Sequence, residues 1–262
     1  MENSWEPGSG NGSGAGGGST QLIPPAPARP DWPVVSWRWW EAIFVFLIGS
    51  LIGILIAVPV IASVQSHRLD DLVAGTGGEL GLGLGVIGWL WVLHRRDIGA
   101  LGFPKRPAKE IGWGVISGLG LYCIGVFVIG TILALILQHA SNKHVRSPRQ
   151  LPTHLGGGEI ALAAITVILF APIAEELFFR GLLFKSLRVR HGFWFAGPIS
   201  AVVFGAAHYQ GQWQNGLLLA LVMVCVGLGL AFIYEWRSNI VANIAAHATF
   251  NVIGFIFILS LK

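Results

Sequence analysis

Long apolar runs alternate with short polar segments from Glu41 to the end of the chain. Each run has about 17 residues or more, the length a helix needs to cross the hydrocarbon core of a bilayer. Because lipid offers no partners for backbone N–H and C=O groups, each crossing must be helical. We therefore predict an all-α, polytopic transmembrane helical bundle of about seven spans. The predicted spans are Glu41–Val64, Leu72–His94, Ile111–Gln138, Ile160–Phe184, Gly192–His208, Gly216–Tyr234 and Asn239–Leu261.

The second predicted span is rich in glycine. Gly83, Gly85 and Gly88 have the spacing of a dinucleotide-binding loop, but no strand precedes them. Together with Gly81 they are more typical of small residues that let two membrane helices approach closely. We expect them to lie at a helix–helix interface.

The chain divides into a tail and a membrane domain. Residues 1–36 are rich in Gly and Ser and then in Pro, a composition that cannot bury enough apolar surface to fold. We predict a disordered cytoplasmic tail there, with a Pro-rich docking motif for a partner as the alternative. Residues 37–262 form the predicted membrane domain. It begins with an expected interfacial anchor, which consists of Trp37, Arg38, Trp39 and Trp40.

Composition supports a membrane protein and excludes a nucleic-acid partner. The sequence is 53% hydrophobic and 11% charged, against about 25% charged residues in soluble domains. The net charge of +4 comes from Lys and Arg in short loops, as the positive-inside rule requires. This rule assigns the loop 95–110 to the cytoplasm. Alternation then assigns the basic loop 139–158 to the outside, which conflicts with its charge.

The fourth span contains two adjacent carboxylates. Glu175 and Glu176 interrupt the apolar run 160–184, and charges at that depth are costly unless they are paired or line a wet cavity, so the default interpretation is a functional site. Glu176 and Arg180 are four residues apart and can pair on one helix face. Glu175 lies about 100° around the helix and is free for another task.

Two further polar clusters follow at helical spacing. His208 comes four residues after Phe204, and His247 comes four residues before Asn251, with Asn243 one turn earlier. Taken alone, each cluster has a structural explanation: an ion-pair clamp, an interfacial histidine or interhelical hydrogen bonds. Three clusters in succession instead predict one polar site between helices. The remaining ionisable residues considered are expected at span ends or in loops; these are Glu79, His154, Glu159, His191 and Glu235.

These clusters resemble the motifs of a known family. Glu175–Arg180 reads EExxxR, Phe204–His208 reads FxxxH and His247–Asn251 reads HxxxN. In this order, each on an apolar helix, they are similar to the motifs of the CAAX-protease and bacteriocin-processing (CPBP, or Abi) family. The resemblance covers about residues 160–257, the expected catalytic core.

The resemblance implies an intramembrane endopeptidase that cleaves a lipid-attached or membrane-embedded protein or peptide. Eukaryotic members of the family trim prenylated CAAX proteins, and bacterial members act in peptide maturation and bacteriocin self-immunity. Glu175 would be the general base, assisted by His208. His247 and Asn251 would donate hydrogen bonds to the oxyanion.

The implied chemistry needs no cofactor. Arg180 would neutralise and orient Glu176. A zinc ion bound by Glu175, His208 and His247 is the alternative, although the chain has no HExxH helix.

Two other functional classes stay open at this point. The charged residues of the fourth span and His208 could line the path of a proton- or ion-coupled transporter. Alternatively, the protein could be a non-catalytic immunity or scaffold protein of the same family. In each case we expect a multi-pass protein of a bacterial cytoplasmic membrane with the lipid bilayer as a partner, whereas the substrate and oligomeric state stay open.

Overall fold

The computed structural model describes residues 33–64, 69–146, 148, 156–210 and 213–260. In these ranges the chain forms helices and no strands, so the predicted all-α bundle is confirmed. A short 3-10 helix, Arg95–Leu101, joins the second and third long helices. The long helices are α1 Glu41–Val64, α2 Asp70–Leu93, α3 Pro107–Ser141, α4 Gly157–His191, α5 Phe193–Ala207, α6 Trp213–Arg237 and α7 Ile240–Ser260.

The helices agree closely with the predicted spans. Six in the described part of the chain are long and apolar enough to cross a membrane. The remaining one, α5, has 15 residues and is about 22 Å long, which is shorter than a hydrocarbon core of about 30 Å. Helices α3 and α4 are not α-helical throughout, since both contain π-helical stretches.

Helices α1 and α2 pack through glycines. A Cβ atom at Gly81 would lie 2.3 Å from the carbonyl oxygen of Gly49, and one at Gly85 would lie 3.0 Å from the Cα of Gly49. The predicted close packing is therefore correct for Gly81 and Gly85. Gly83 instead faces α4, and Gly88 has no neighbouring atom within 4 Å of the position of a Cβ. For Gly88 the prediction was wrong, because that position points away from the other helices.

The expected tryptophan anchor divides into two parts. Trp39 and Trp40 are 47% and 42% exposed, as suits the membrane interface. Trp37 is fully buried, and its indole N–H donates to the carbonyl of Leu182 at 3.2 Å. The prediction was wrong for Trp37, because its N–H finds a partner inside the bundle.

The predicted tail falls mostly on residues 1–32, which lie outside the described residues. Its last positions pack on the membrane domain. Val35 is buried, and the hydroxyl of Ser36 forms a hydrogen bond of 2.6 Å with Nδ1 of His94. The ordered membrane domain therefore includes residues before Trp37.

Four segments meet at one end of the bundle, which we call the basic end; they are 33–40, 94–106, 185–192 and 237–239. The backbone N–H of Ser36 donates to Asp97 at 3.0 Å, and that of Ile240 donates to the carbonyl of Gly102 at 3.1 Å. Nine of the 17 lysines and arginines of the sequence lie in these segments. The positive-inside rule therefore assigns the basic end to the cytoplasm, in agreement with the assignment of the loop 95–110.

Candidate active site

Glu175 lies near the middle of the 35-residue helix α4. At about 1.5 Å per residue, it is about 24 Å from His191 and about 27 Å from Gly157. The helix is α-helical over Ala171–Glu175 and π-helical over Glu176–Phe184. π-helical turns are rare and frequently occur at functional sites. The two carboxylates thus lie near the middle of α4, at a change of helix type.

Glu176 is the centre of a fully buried hydrogen-bond network. Arg180 donates to its Oε1 at 2.9 Å, and Nδ1 of His247 lies 2.9 Å from the same oxygen. The side-chain amide of Asn243 donates to Oε2. Arg180 also donates to the carbonyl of Gly227 at 2.9 Å. The expected Glu176–Arg180 pair is present, and it connects α4 with α6 and α7.

The ring of Phe204 contacts the guanidinium of Arg180 and the rings of both site histidines. Its ring centroid is 4.7 Å from the guanidinium carbon of Arg180, a cation–π distance. The ring of His208 is 4.6 Å from Phe204 and the ring of His247 is 5.9 Å from it, centroid to centroid. Phe204 therefore connects both imidazoles to the buried network.

His208 has one ring nitrogen engaged. Its Nδ1 lies 2.8 Å from the carbonyl oxygen of Phe204, one turn earlier. A carbonyl oxygen only accepts, so Nδ1 carries the proton and Nε2 of the neutral ring has a free lone pair. The hydrogen bond of His208 in the described part of the chain goes to Phe204 and not to Glu175.

Glu175 differs sharply from its neighbour Glu176. The residue is 8% exposed, and its Oε2 lies 3.9 Å from Nε2 of His247. That distance is too long for a hydrogen bond. Within the described residues this oxygen is buried without a hydrogen-bond partner. Glu175 thus keeps lone pairs that can accept a proton, whereas both oxygens of Glu176 are occupied.

Asn251 binds a carbonyl that the helix itself leaves open. The N–H of Ala171 donates to the carbonyl of Thr166, as in a π-helical turn, and Pro172 has no N–H for the next carbonyl. That next carbonyl belongs to Val167, and the side-chain amide of Asn251 donates to it at 2.8 Å. An amide has two N–H donors, and this bond engages one of them.

Two more residues of this region had no assigned role. Asn243, which the sequence analysis grouped with His247 and Asn251, is buried and donates to Glu176. Glu79 was expected at a span end but is the tenth residue of the 24-residue α2. Its Oε2 is buried without a partner in the described residues, and its carboxyl interacts electrostatically with Glu175. That prediction was wrong, because the packing of α2 holds position 79 inside the bundle.

The other residues expected at span ends behave as predicted where they are described. Glu159 lies in the first turn of α4 and accepts from the N–H of Gly156 at 2.7 Å. His191 is the last residue of α4. Glu235, near the end of α6, binds Arg188. The expectation for His154 lies outside the described residues.

The three residues considered as zinc ligands do not form a metal-binding cluster in the described part of the chain. Glu175, His208 and His247 all lie in the described residues. In that part of the chain, no group of three or more His, Cys, Asp or Glu side chains is arranged to hold a metal ion. The side chains present therefore do not fit the zinc site considered from the sequence.

Comparison with known proteins finds one similar family and several similar bacterial proteins. The family described as type II CAAX prenyl endopeptidase Rce1-like matches residues 157–253, a range that contains all six predicted site residues. An Escherichia coli protein named "Uncharacterized 24.3 kDa protein" is 26% identical over 172 residues, which are 64% of this chain and 74% of that protein.

Two other bacterial proteins are similar. The Bacillus subtilis (strain 168) protein named "Putative membrane peptidase YdiL" is 33% identical over 103 residues, 39% of each chain. The "UPF0177 protein YxdF" of Lactococcus lactis is 26% identical over 159 residues, 59% of this chain and 83% of that protein. No solved structure matches significantly. Residues 157–253, which run from the start of α4 into α7, are thus similar to a family of membrane-bound CAAX prenyl endopeptidases.

Proposed function

We propose that this protein is an intramembrane endopeptidase in which Glu175 activates a water molecule to hydrolyse a peptide bond. The observation that carries the proposal is the contrast between the two adjacent carboxylates. Oε2 of Glu175 is buried, unbonded in the described residues and 3.9 Å from His247, whereas Glu176 is fully bonded within the protein. One carboxylate is thus available for chemistry and the other is structural.

The first step is the attack of water on the carbonyl carbon of the peptide bond. Glu175 accepts a proton from the water as the new C–O bond forms. The free Nε2 lone pair of His208 supports this step as a second acceptor close to the attacking water. The hydrogen bond from Nδ1–H of His208 to the Phe204 carbonyl fixes the ring, so the Nε2 lone pair points in one direction.

Charge then develops on the carbonyl oxygen, and two donors stabilise it. Nδ1 of His247 is bonded to Glu176, which fixes the ring so that a proton on Nε2 is donated to the oxyanion. Asn251 donates its second amide N–H. Arg180 acts at a distance, because it neutralises Glu176 and holds it in the position that orients His247.

The depth of the site favours a substrate that is already in the membrane. Glu175 is about 24 Å from the cytoplasmic end of α4, so a soluble peptide would have to leave water to reach it. We propose a lipid-attached or membrane-embedded protein or peptide as the substrate class. Since Glu175 is 8% exposed, neighbouring helices must separate for the substrate to enter.

The test compares wild type with Glu175→Gln. In membranes from the host, peptides released by the wild type should be missing from the variant while protein levels stay equal. Purified protein in lipid vesicles should cleave the identified substrate only with Glu175 intact. Full activity of Glu175→Gln would refute the proposal, and identical peptidomes for both proteins would favour a non-catalytic scaffold.

A further inference from the structure

Helix α2 brings a third carboxyl group, that of Glu79, to the face of α4 that carries Glu175. Two contacts align the helices: the hydroxyls of Thr76 and Thr166 lie 2.8 Å apart, and a Cβ at Gly83 would lie 3.4 Å from the Cβ of Ala174. Glu79 occupies the turn of α2 between these contacts. The fold therefore holds this turn of α2 against α4, next to the segment of α4 that leads into the EExxxR motif.

The carboxyl groups of Glu79 and Glu175 have matching unmet hydrogen-bond requirements. Each has a buried Oε2 without a hydrogen-bond partner in the described residues, and the two groups interact electrostatically. Two ionised carboxylates in a low-dielectric interior repel each other. A single shared proton removes the repulsion and supplies the missing donor, as in other carboxyl pairs.

We propose that Glu79 is a third carboxyl group of the active site and shares one proton with Glu175. This inference rests on the proposed role of Glu175 as the base. Glu79 lies outside the residues 157–253 that match the family, so the matched region alone does not supply this group. Glu79 acts through Glu175 and is a positioning residue.

A pair that holds one shared proton accounts for every proton moved during hydrolysis of the peptide bond. The pair begins with one proton and gains a second when the attacking water forms its C–O bond with the substrate. When the C–N bond breaks, one proton passes from the pair to the leaving amine nitrogen. The pair then again holds one proton and is ready for the next substrate.

Other charged groups also face Glu175, and the test must separate Glu79 from them. Arg180 interacts with Glu175 from the same helix, and His247 lies 3.9 Å away on α7. Glu79→Gln leaves both in place. The glutamine amide still offers an N–H donor to Glu175, but it cannot take up or release a proton during the reaction.

The first experiment is a pH profile of kcat and KM for the purified protein in vesicles. In Glu79→Gln we expect kcat at neutral pH to fall about tenfold or more with KM unchanged, because proton transfer is impaired and substrate contacts are not. Activity should also persist to higher pH than in the wild type, since glutamine cannot release the shared proton. Asp71→Asn, an exposed acid-to-amide change in the same helix, is the matched control and should behave as wild type.

The second experiment does not depend on activity. The infrared difference spectrum of wild type minus Glu79→Gln at neutral pH should contain the C=O stretching band of a protonated carboxyl group, shifted in D2O. Asp71→Asn should give no such band.

The outcomes separate the two proposals. An inactive Glu175→Gln together with a Glu79→Gln whose pH profile and infrared spectrum match wild type would overturn the shared proton alone. An active Glu175→Gln would overturn the catalytic role of Glu175, whatever the infrared band shows. If Glu79→Gln failed to fold, Glu79→Asp takes its place, because aspartate keeps a carboxyl group that can hold the shared proton. Glu79→Asp should fold and should show the infrared band. A folded Glu79→Asp without the band would overturn the inference.

Discussion

Glu175 and Glu176 are neighbours in sequence, yet their replacement by glutamine should have opposite consequences. Glu176→Gln removes the negative charge that balances the fully buried Arg180 and the ring of His247. Glu175→Gln removes a carboxylate whose Oε2 has no hydrogen bond in the described residues. We expect the first change to destabilise the protein and the second to inactivate it without unfolding it.

The magnitudes follow from the burial of each group. Removal of one partner of a buried ion pair costs about 3–5 kcal/mol, because the other charge is left uncompensated. For a domain of this size each kcal/mol lowers Tm by about 2–4 °C, so Glu176→Gln should lower Tm by about 10 °C. Glu175→Gln loses no comparable bond and should change the free energy of unfolding by about 1 kcal/mol or less.

Thermal unfolding of the two variants in the same detergent, followed by tryptophan fluorescence, measures this difference. A cleavage assay on the same samples measures activity below the lower Tm. The double variant Glu176→Gln, Arg180→Met should recover part of the lost stability, because it leaves no unpaired guanidinium. The reasoning is refuted if Glu176→Gln keeps the wild-type Tm or if Glu175→Gln is the less stable of the two.

Three other predictions follow from the structure. Asn251→Ala should lower the free energy of unfolding by about 1–3 kcal/mol, because it leaves the Val167 carbonyl unpaired. In a Pro172→Ala background, where residue 172 has an N–H again, the same change should cost less in a thermal unfolding experiment. Equal costs in the two backgrounds would contradict this. Gly81→Ala should lower Tm by forcing α1 and α2 apart, whereas the matched Gly78→Ala, with open space at its Cβ, should not; similar Tm values for both would contradict the close packing. Cleavage should survive strong chelators; its loss, restored by added zinc, would contradict the metal-free mechanism.

Hydropathy and helical spacing were sufficient to predict the helices and the residues of the buried network. Glu176, Arg180 and His247 could be predicted to meet, because charges within apolar helices must find partners. Trp37 could not be assigned correctly, since its burial depends on a carbonyl 145 residues away in sequence. Its local context, next to Arg38 and two exposed tryptophans, is that of an interfacial residue.

Two features of the site depend on packing that the sequence does not display. Pro172 is visible in the sequence, but the carbonyl that it leaves open, and the choice of Asn251 as its partner, follow from the π-helical turn. Glu79 is surrounded by small residues, and its proximity to Glu175 arises from the register of α2 against α4. Non-local register is the information that a single sequence carries least directly.

The Arg180 network has a consequence for how the chain can vary. Within the described residues, its direct hydrogen bonds and ring contacts involve α4, α5, α6 and α7. Substitutions in α1 and α3 can therefore accumulate without removing a bond from this network. Helix α2 has less freedom to vary, because its register against α4 holds Glu79 near Glu175.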